Sequence, residues 1–136
     1  MLKFPAPPKR NKDMSYANGC VSEYLGSHIF QMVGIPAQET LLGVYTRNGR
    51  ERIVVACKDF TTDGSVLQDF ASLKNTIIDS EKNGYGTELS DIMEAISEQQ
   101  VFDPLMLKRY FWDMFIVDAL IGNWDRHNGN WGFLYY

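Results

Sequence analysis

The sequence predicts an α+β fold, a small β-rich part joined to a mainly helical part that follows it. Three observations carry this. Two runs of β-branched and apolar residues flank Arg47-Asn48-Gly49, a hairpin signal because Asn-Gly accepts positive φ. A long apolar-striped stretch is bounded by Asp103 and Pro104 at its start and Gly122 at its end. Strand-like runs dominate before residue 60, and helical periodicity dominates after it.

The elements follow in chain order. Met1 to Pro5 reads as the end of a strand, after which Pro5, Pro7, Pro8, Lys9, Arg10 and Lys12 make an irregular basic loop. From about Cys20 to Val33, Val21, Tyr24, Leu25, Ile29 and Met32 recur at helical spacing, and Gly34 with Pro36 supplies the stop. Leu41 to Tyr45 and Arg52 to Lys58 form the expected antiparallel pair. Ser65 is expected to open a helix with Gln68 as its capping-box partner, closed by a linker around Gly84 and Gly86. Leu89, Ile92, Met93 and Ile96 mark a short helix. The longest helix runs from Asp103 as N-cap to about Ile121. Its stripe of Leu107, Tyr110, Phe111, Met114, Phe115 and Ile121 makes it the central core helix. A polar loop from Asn123 to Asn130 and a strand-like run from Trp131 to Tyr136 complete the chain.

At 136 residues, 45% hydrophobic and 13% aromatic, the chain is sized for one domain with a real core. A net charge of -4 and a pI near 5.1 argue against direct binding of nucleic acid or of an anionic membrane. Cys20 and Cys57 follow no metal or disulfide spacing and are expected to be reduced core residues. The N-terminus has no apolar stretch of signal-peptide length, and Asp113 and Asp118 interrupt the most hydrophobic region. The sequence therefore predicts neither export nor membrane spanning, and a cytoplasmic location.

Polar groups concentrate in Asn123-Trp124-Asp125-Arg126-His127-Asn128-Gly129-Asn130, directly after the core helix and before a hydrophobic strand, so a rigid scaffold presents them. Asp125 and Asn130 are five residues apart, the spacing of Asp and Asn in the kinase catalytic loop H-R-D-x-x-x-x-N. A carboxylate there accepts the proton of an attacking hydroxyl, and an amide oxygen coordinates a phosphate-bridging Mg²⁺. The competing reading is that both residues cap a turn, as Asx residues do. His127 either holds the loop by hydrogen bonds or contacts phosphate.

The order D-R-H-x-x-N, with His127 after Asp125, resembles the HipA-like serine/threonine kinases and also the phosphoinositide lipid kinases. Other segments resemble the HipA-like family in order along nearly the whole chain. Leu2-Lys3-Phe4-Pro5 looks like the strand carrying the nucleotide-anchoring lysine, and Ser22-Glu23-Tyr24 like the helix that supplies its carboxylate partner. Val55-Ala56-Cys57-Lys58-Asp59-Phe60 looks like the hinge, where backbone groups pair with adenine and a nearby acid meets the ribose. The resemblance implies a protein-kinase-like fold, with residues 1–60 as N-lobe part and hinge and 61–136 as helical C-lobe part.

It also implies ATP and Mg²⁺ as cofactors and a protein hydroxyl as acceptor. In that reading Asp125 is the general base, His127 a supporting residue and Asn130 a metal ligand. Lys3, Glu23, Ala56, Cys57, Lys58 and Asp59 face the nucleotide. The alternatives are a lipid or small-molecule kinase, or a non-catalytic binding remnant that pairs with another chain, an antitoxin-like partner or a complementary segment. The family's glycine-rich loop precedes its lysine strand, and a further metal-binding aspartate follows its catalytic loop. Neither has a counterpart within these 136 residues, so the expectation is a kinase fragment with little or no activity by itself.

Overall fold

The computed structural model describes residues 1–5, 18–61, 63–78 and 83–135. The chain divides into two compact units, Met1–Asp59 and Phe60–Tyr136. The expected basic loop through Pro7, Pro8, Lys9, Arg10 and Lys12 lies outside the described residues.

The first unit contains β1 (Leu2–Lys3), α1 (Gly19–Met32), β2 (Thr40–Arg47) and β3 (Arg50–Cys57), with an antiparallel sheet in the order β1-β3-β2. Arg47 pairs with Arg50, which leaves a two-residue turn. Asn48 and Gly49 take φ values of 51° and 71° there, the left-handed conformations of a turn whose twist matches the strands it joins. One face of α1 packs on β2 and β3 around Cys20, Val55 and Cys57, with Tyr24 and Leu42 beside them. The buried face differs from the expected stripe, because Cys20 and Phe30 are buried while Leu25 and Met32 are exposed. Helical spacing alone does not say which of two apolar arcs meets the sheet.

The second unit runs β4 (Val66–Asp69), α2 (Phe70–Ile77), α3 (Leu89–Glu98), α4 (Pro104–Ile121) and β5 (Gly132–Tyr135). The expected helix start at Ser65 is corrected: Val66 to Asp69 form a strand paired antiparallel with β5, from Val66 opposite Tyr135 to Asp69 opposite Gly132. The helix begins after it, capped by the Asp69 carboxylate, which accepts from Ser72 N at 2.8 Å. In the core, α2 packs on α3 and α3 on α4. Phe70 stacks on Trp131 at 4.2 Å between ring centroids, with Ile96, Phe111 and Met114 also buried.

Asp103 caps α4 through Leu105 N, Pro104 occupies its first turn, and Gly122 ends it in the left-handed conformation. Of the expected stripe, Leu107, Phe111 and Met114 are buried, whereas Phe115 is exposed and Val117 takes a core position.

Gly84, at φ 79°, lies so close to α2 that an added Cβ would sit 2.0 Å from the Ala71 carbonyl oxygen. Gly84→Ala combines left-handed strain with a backbone clash and is expected to cost about 2–5 kcal/mol. Urea denaturation followed by circular dichroism measures it, and a loss below about 0.5 kcal/mol contradicts the packing described.

Candidate active site

The site in the second unit is built from the end of α4 upward. The buried positions Leu107, Phe111 and Met114 continue at helical spacing to Asp118, so an acid emerges on the core-facing side of the helix. A carboxylate in the last turn of a helix opposes the macrodipole and, when buried, requires a cation. The left-handed turn at Gly122 reverses the chain and returns Arg126 to it. Arg126 Nε donates to Asp118 Oδ2 at 2.6 Å and Nη2 to Oδ1 at 2.9 Å, a bidentate pair with the carboxylate side chain only 7% exposed. Asn123 Nδ2 adds a third donor to Oδ1 at 2.7 Å.

The same guanidinium reaches onward. Its Nη1 donates to the Asn130 backbone oxygen at 3.3 Å and to Asn130 Oδ1 at 3.2 Å. Asn130 Oδ1 also accepts from His127 N at 3.3 Å, and Asn130 Nδ2 donates to the Asp125 carbonyl at 3.0 Å. The structure therefore brings Asp125 and Asn130 together on one closed loop, held by the amide of Asn130 itself.

From beneath, buried Asn128 fixes the loop. Its Nδ2 donates to the carbonyls of Gly84 and Gly86, both at 2.8 Å, and its own carbonyl accepts from Ala71 N at 2.9 Å. Lys74, fully buried, donates to the Gly86 carbonyl at 2.8 Å, and its ammonium lies 3.8 Å from Asp91 Oδ2. On this braced loop Asp125 is exposed. Its N–H donates to Asn123 Oδ1 at 3.3 Å, and its carboxylate takes no hydrogen bond among the described residues, which leaves both oxygens free to accept. His127 Nδ1 accepts from Gly129 N at 3.1 Å, so the neutral ring carries its proton on Nε2 as a donor.

In the first unit Lys3 Nζ forms an ion pair with Glu23 Oε1. Cys57 Sγ donates to that same oxygen at 3.7 Å, and Cys20 Sγ to the Lys3 carbonyl at 3.6 Å. Burial first, and then the Glu23 carboxylate, push the Cys57 thiol above its usual range, which keeps it protonated and able to donate.

The tract expected as hinge has its backbone partly engaged. Ala56 sits within β3 opposite both Leu2 and Leu41. Cys57 N donates to the Met1 carbonyl at 2.8 Å, and Lys58 N to the Glu39 carbonyl at 2.9 Å. The Lys58 carbonyl accepts from Gln38 Nε2 at 2.8 Å, and its ammonium pairs with Glu39 at the surface. Asp59 is exposed. Lys3, Glu23 and Cys57 are thus one cluster, Asp125, His127 and Asn130 another, each within its own unit.

Against known proteins, the chain is 56% identical over 134 residues to the serine/threonine-protein kinase CtkA of Helicobacter pylori, an alignment that spans 98% of this chain. The chain is related to a serine/threonine-protein kinase. It spans 40% of that kinase's length. The crystal structure of the Helicobacter pylori proinflammatory kinase CtkA matches 98% of this chain and 44% of its own, with a TM-score of 0.84 and 56% identity. The mixed α+β architecture, with small sheets and four helices among the described residues, is therefore one found in a kinase. No family model matches the chain.

For this kinase relative, sequence reasoning passes over the residues that brace the loop. Asp118 reads along the chain as an interruption of an apolar helix, yet an acid in phase with Leu107, Phe111 and Met114 is itself the signal of a buried partner. Lys74 and Asn128 carry no such local signal, because their partners at 84–86 and 91 are distant in sequence or set by the turn.

Proposed function

We propose that this chain carries phosphotransfer machinery of the HipA-like serine/threonine protein kinase type, which moves the γ-phosphate of ATP to a protein hydroxyl. The observation that carries the proposal is the Asp125 carboxylate, which takes no hydrogen bond among the described residues, on a braced loop five residues ahead of Asn130.

In this reading Asp125 accepts the proton of the attacking hydroxyl, and Arg126 fixes the loop against Asp118 so that the base is presented without reorganisation. His127, through Nε2–H, is a donor beside that base. Lys3, oriented by Glu23, anchors phosphate oxygens of the nucleotide, and the tract Ala56 to Asp59 meets adenine and ribose. Mg²⁺ suits the oxygen donors on the loop, since it binds through few protein oxygens plus substrate phosphates and supplies neutralisation of the developing charge. Asn130 Oδ1 would hold it by giving up its two long contacts, from Arg126 Nη1 and His127 N, both beyond 3.1 Å and hence weak.

Calorimetry with ATP and Mg²⁺ tests the proposal. The wild-type chain is expected to bind, and Lys3→Met to weaken binding by about 10- to 100-fold, the worth of one charge-assisted phosphate contact. No heat of binding at millimolar ATP would move the chain to the class of non-catalytic kinase remnants. With labelled ATP the 136-residue polypeptide by itself is expected to transfer little phosphate, because part of the phosphate- and metal-binding set of the family is not among its residues. Transfer to phosphoinositides in preference to protein would replace the protein-kinase reading.

A further inference from the structure

The sheet of the first unit has two unlike faces. α1 covers one of them, against Leu42, Val55 and Cys57. Side chains alternate along a strand, so the other face carries Tyr45 and Arg47 from β2 and Arg50 and Arg52 from β3. Phe4 lies on it too, its ring meeting that of Tyr45 edge-on at 5.2 Å between centroids. At the hairpin end of this face Arg47 stands directly opposite Arg50, and Arg52, opposite Tyr45, occupies the next row. Like charges placed directly opposite one another destabilise a β-ribbon. All three arginines are exposed, and none of their side chains makes an ion pair or hydrogen bond among the described residues. Glu51, between two of them in sequence, alternates to the opposite face, where it pairs with Thr46. In a chain of net charge -4, three guanidiniums therefore crowd one corner with no acid on their face to offset them.

The spacing selects the kind of anion. Directly opposed residues have Cβ atoms about 4.5–5.5 Å apart and diagonal neighbours about 7–8 Å, so three long side chains can converge on a single group. A phosphate monoester suits them, because it gathers about -1.5 to -2 charges and three acceptor oxygens in one place, and guanidinium forks take such oxygens in pairs. A carboxylate has one charge to share among three cations. The adjoining surface is apolar, with Phe4 and Tyr45 exposed and Leu41, on the same face, 71% exposed. Free phosphate would leave that surface unused, whereas a phosphorylated peptide sets its neighbouring side chains on it. Nucleic acid or an anionic membrane calls for positive charge spread over a larger area, which the acidic balance of the chain opposes.

We propose that this corner of the sheet binds a phosphorylated serine or threonine segment of a protein partner, with Arg47, Arg50 and Arg52 holding the phosphate and Phe4 and Tyr45 the adjoining apolar side chain. Lys3, opposite Val55, belongs to the face that α1 covers. The inference therefore does not depend on the proposed phosphotransfer.

Fluorescence polarisation tests it, with a short fluorescein-labelled peptide in which leucines flank one phosphoserine. The 136-residue chain is expected to bind this peptide at least about tenfold more tightly than its unphosphorylated twin. The triple variant Arg47→Gln, Arg50→Gln, Arg52→Gln is expected to abolish that preference. Lysine at the same three positions should restore only part of it, because an ammonium lacks the planar fork. Since opposed like charges are relieved, the glutamine variant should melt no lower than wild type, whereas a purely structural role for the arginines lowers its melting temperature. Equal binding of the two peptides, a phosphate preference that survives the glutamine variant, or a lowered melting temperature in that variant overturns the proposal. Tighter, arginine-dependent binding of a single-stranded oligonucleotide or of phosphatidylserine vesicles also overturns it, and assigns the corner to nucleic acid or to a lipid surface.

Discussion

Asp118→Ala is expected to remove about 3–5 kcal/mol from the stability of the second unit, the cost of leaving one member of a buried ion pair without its partner. Arg126 would keep two donors aimed at an emptied position, Asn123 would lose its acceptor, and the cation that reaches Asn130 would lose its anchor on α4. Against the roughly 5–15 kcal/mol that holds a typical domain folded, this is a large share, equivalent to a drop in melting temperature of about 12–40 °C for a unit of this size. Urea denaturation of wild type, Asp118→Ala, Arg126→Met and the double variant Asp118→Leu, Arg126→Met measures it. The double variant should recover much of the loss, since an apolar pair of similar volume replaces a buried ion pair at little net cost. A single-variant effect below about 1 kcal/mol would show that the pair does not brace the loop.

Asp125→Asn is expected to act oppositely, sparing the fold and removing the chemistry. Its carboxylate takes no hydrogen bond among the described residues and is exposed, so stability should change by no more than about 0.5 kcal/mol. In any form of the chain competent for phosphotransfer, alone or assembled with the remaining length of a CtkA-like kinase, kcat should fall by about 10²- to 10⁴-fold, the usual worth of a positioned general base. ATP affinity should change little. Steady-state kinetics with labelled ATP decides it, and retention of activity within a few-fold of wild type would remove Asp125 from the chemistry.

The parts of the fold that were legible in the sequence are those whose cause is local. Asn48-Gly49 forces its turn by backbone preference, and Asp103, Pro104 and Gly122 mark the ends of α4 by the groups a helix terminus leaves unpaired. β4 was not legible, because Ser65 and Gln68 imitate a capping box while the strand exists only through its pairing with β5, more than sixty residues away. The buried face of α1 was hidden for the same reason: Cys20 is buried and Leu25 is not because of where the sheet lies. In the site, spacing pointed to Asp125 and Asn130, and the resemblance to the HipA-like kinases pointed to the pairing of Glu23 with Lys3. The bracing set of Asp118, Asn128 and Lys74 depends on contacts that spacing cannot express.

One of those contacts bears on motion. Asn128 joins the loop to the first turn of α2 through Ala71 and to the 84–86 segment through two carbonyls, with Lys74 tied to the same segment. These pieces cannot detach one at a time without stranding a buried donor or acceptor. The loop and the start of α2 therefore open together or not at all, as a single cooperative unit. The amide proton of Ala71, sealed by the Asn128 carbonyl, exchanges with solvent only when that whole unit lifts.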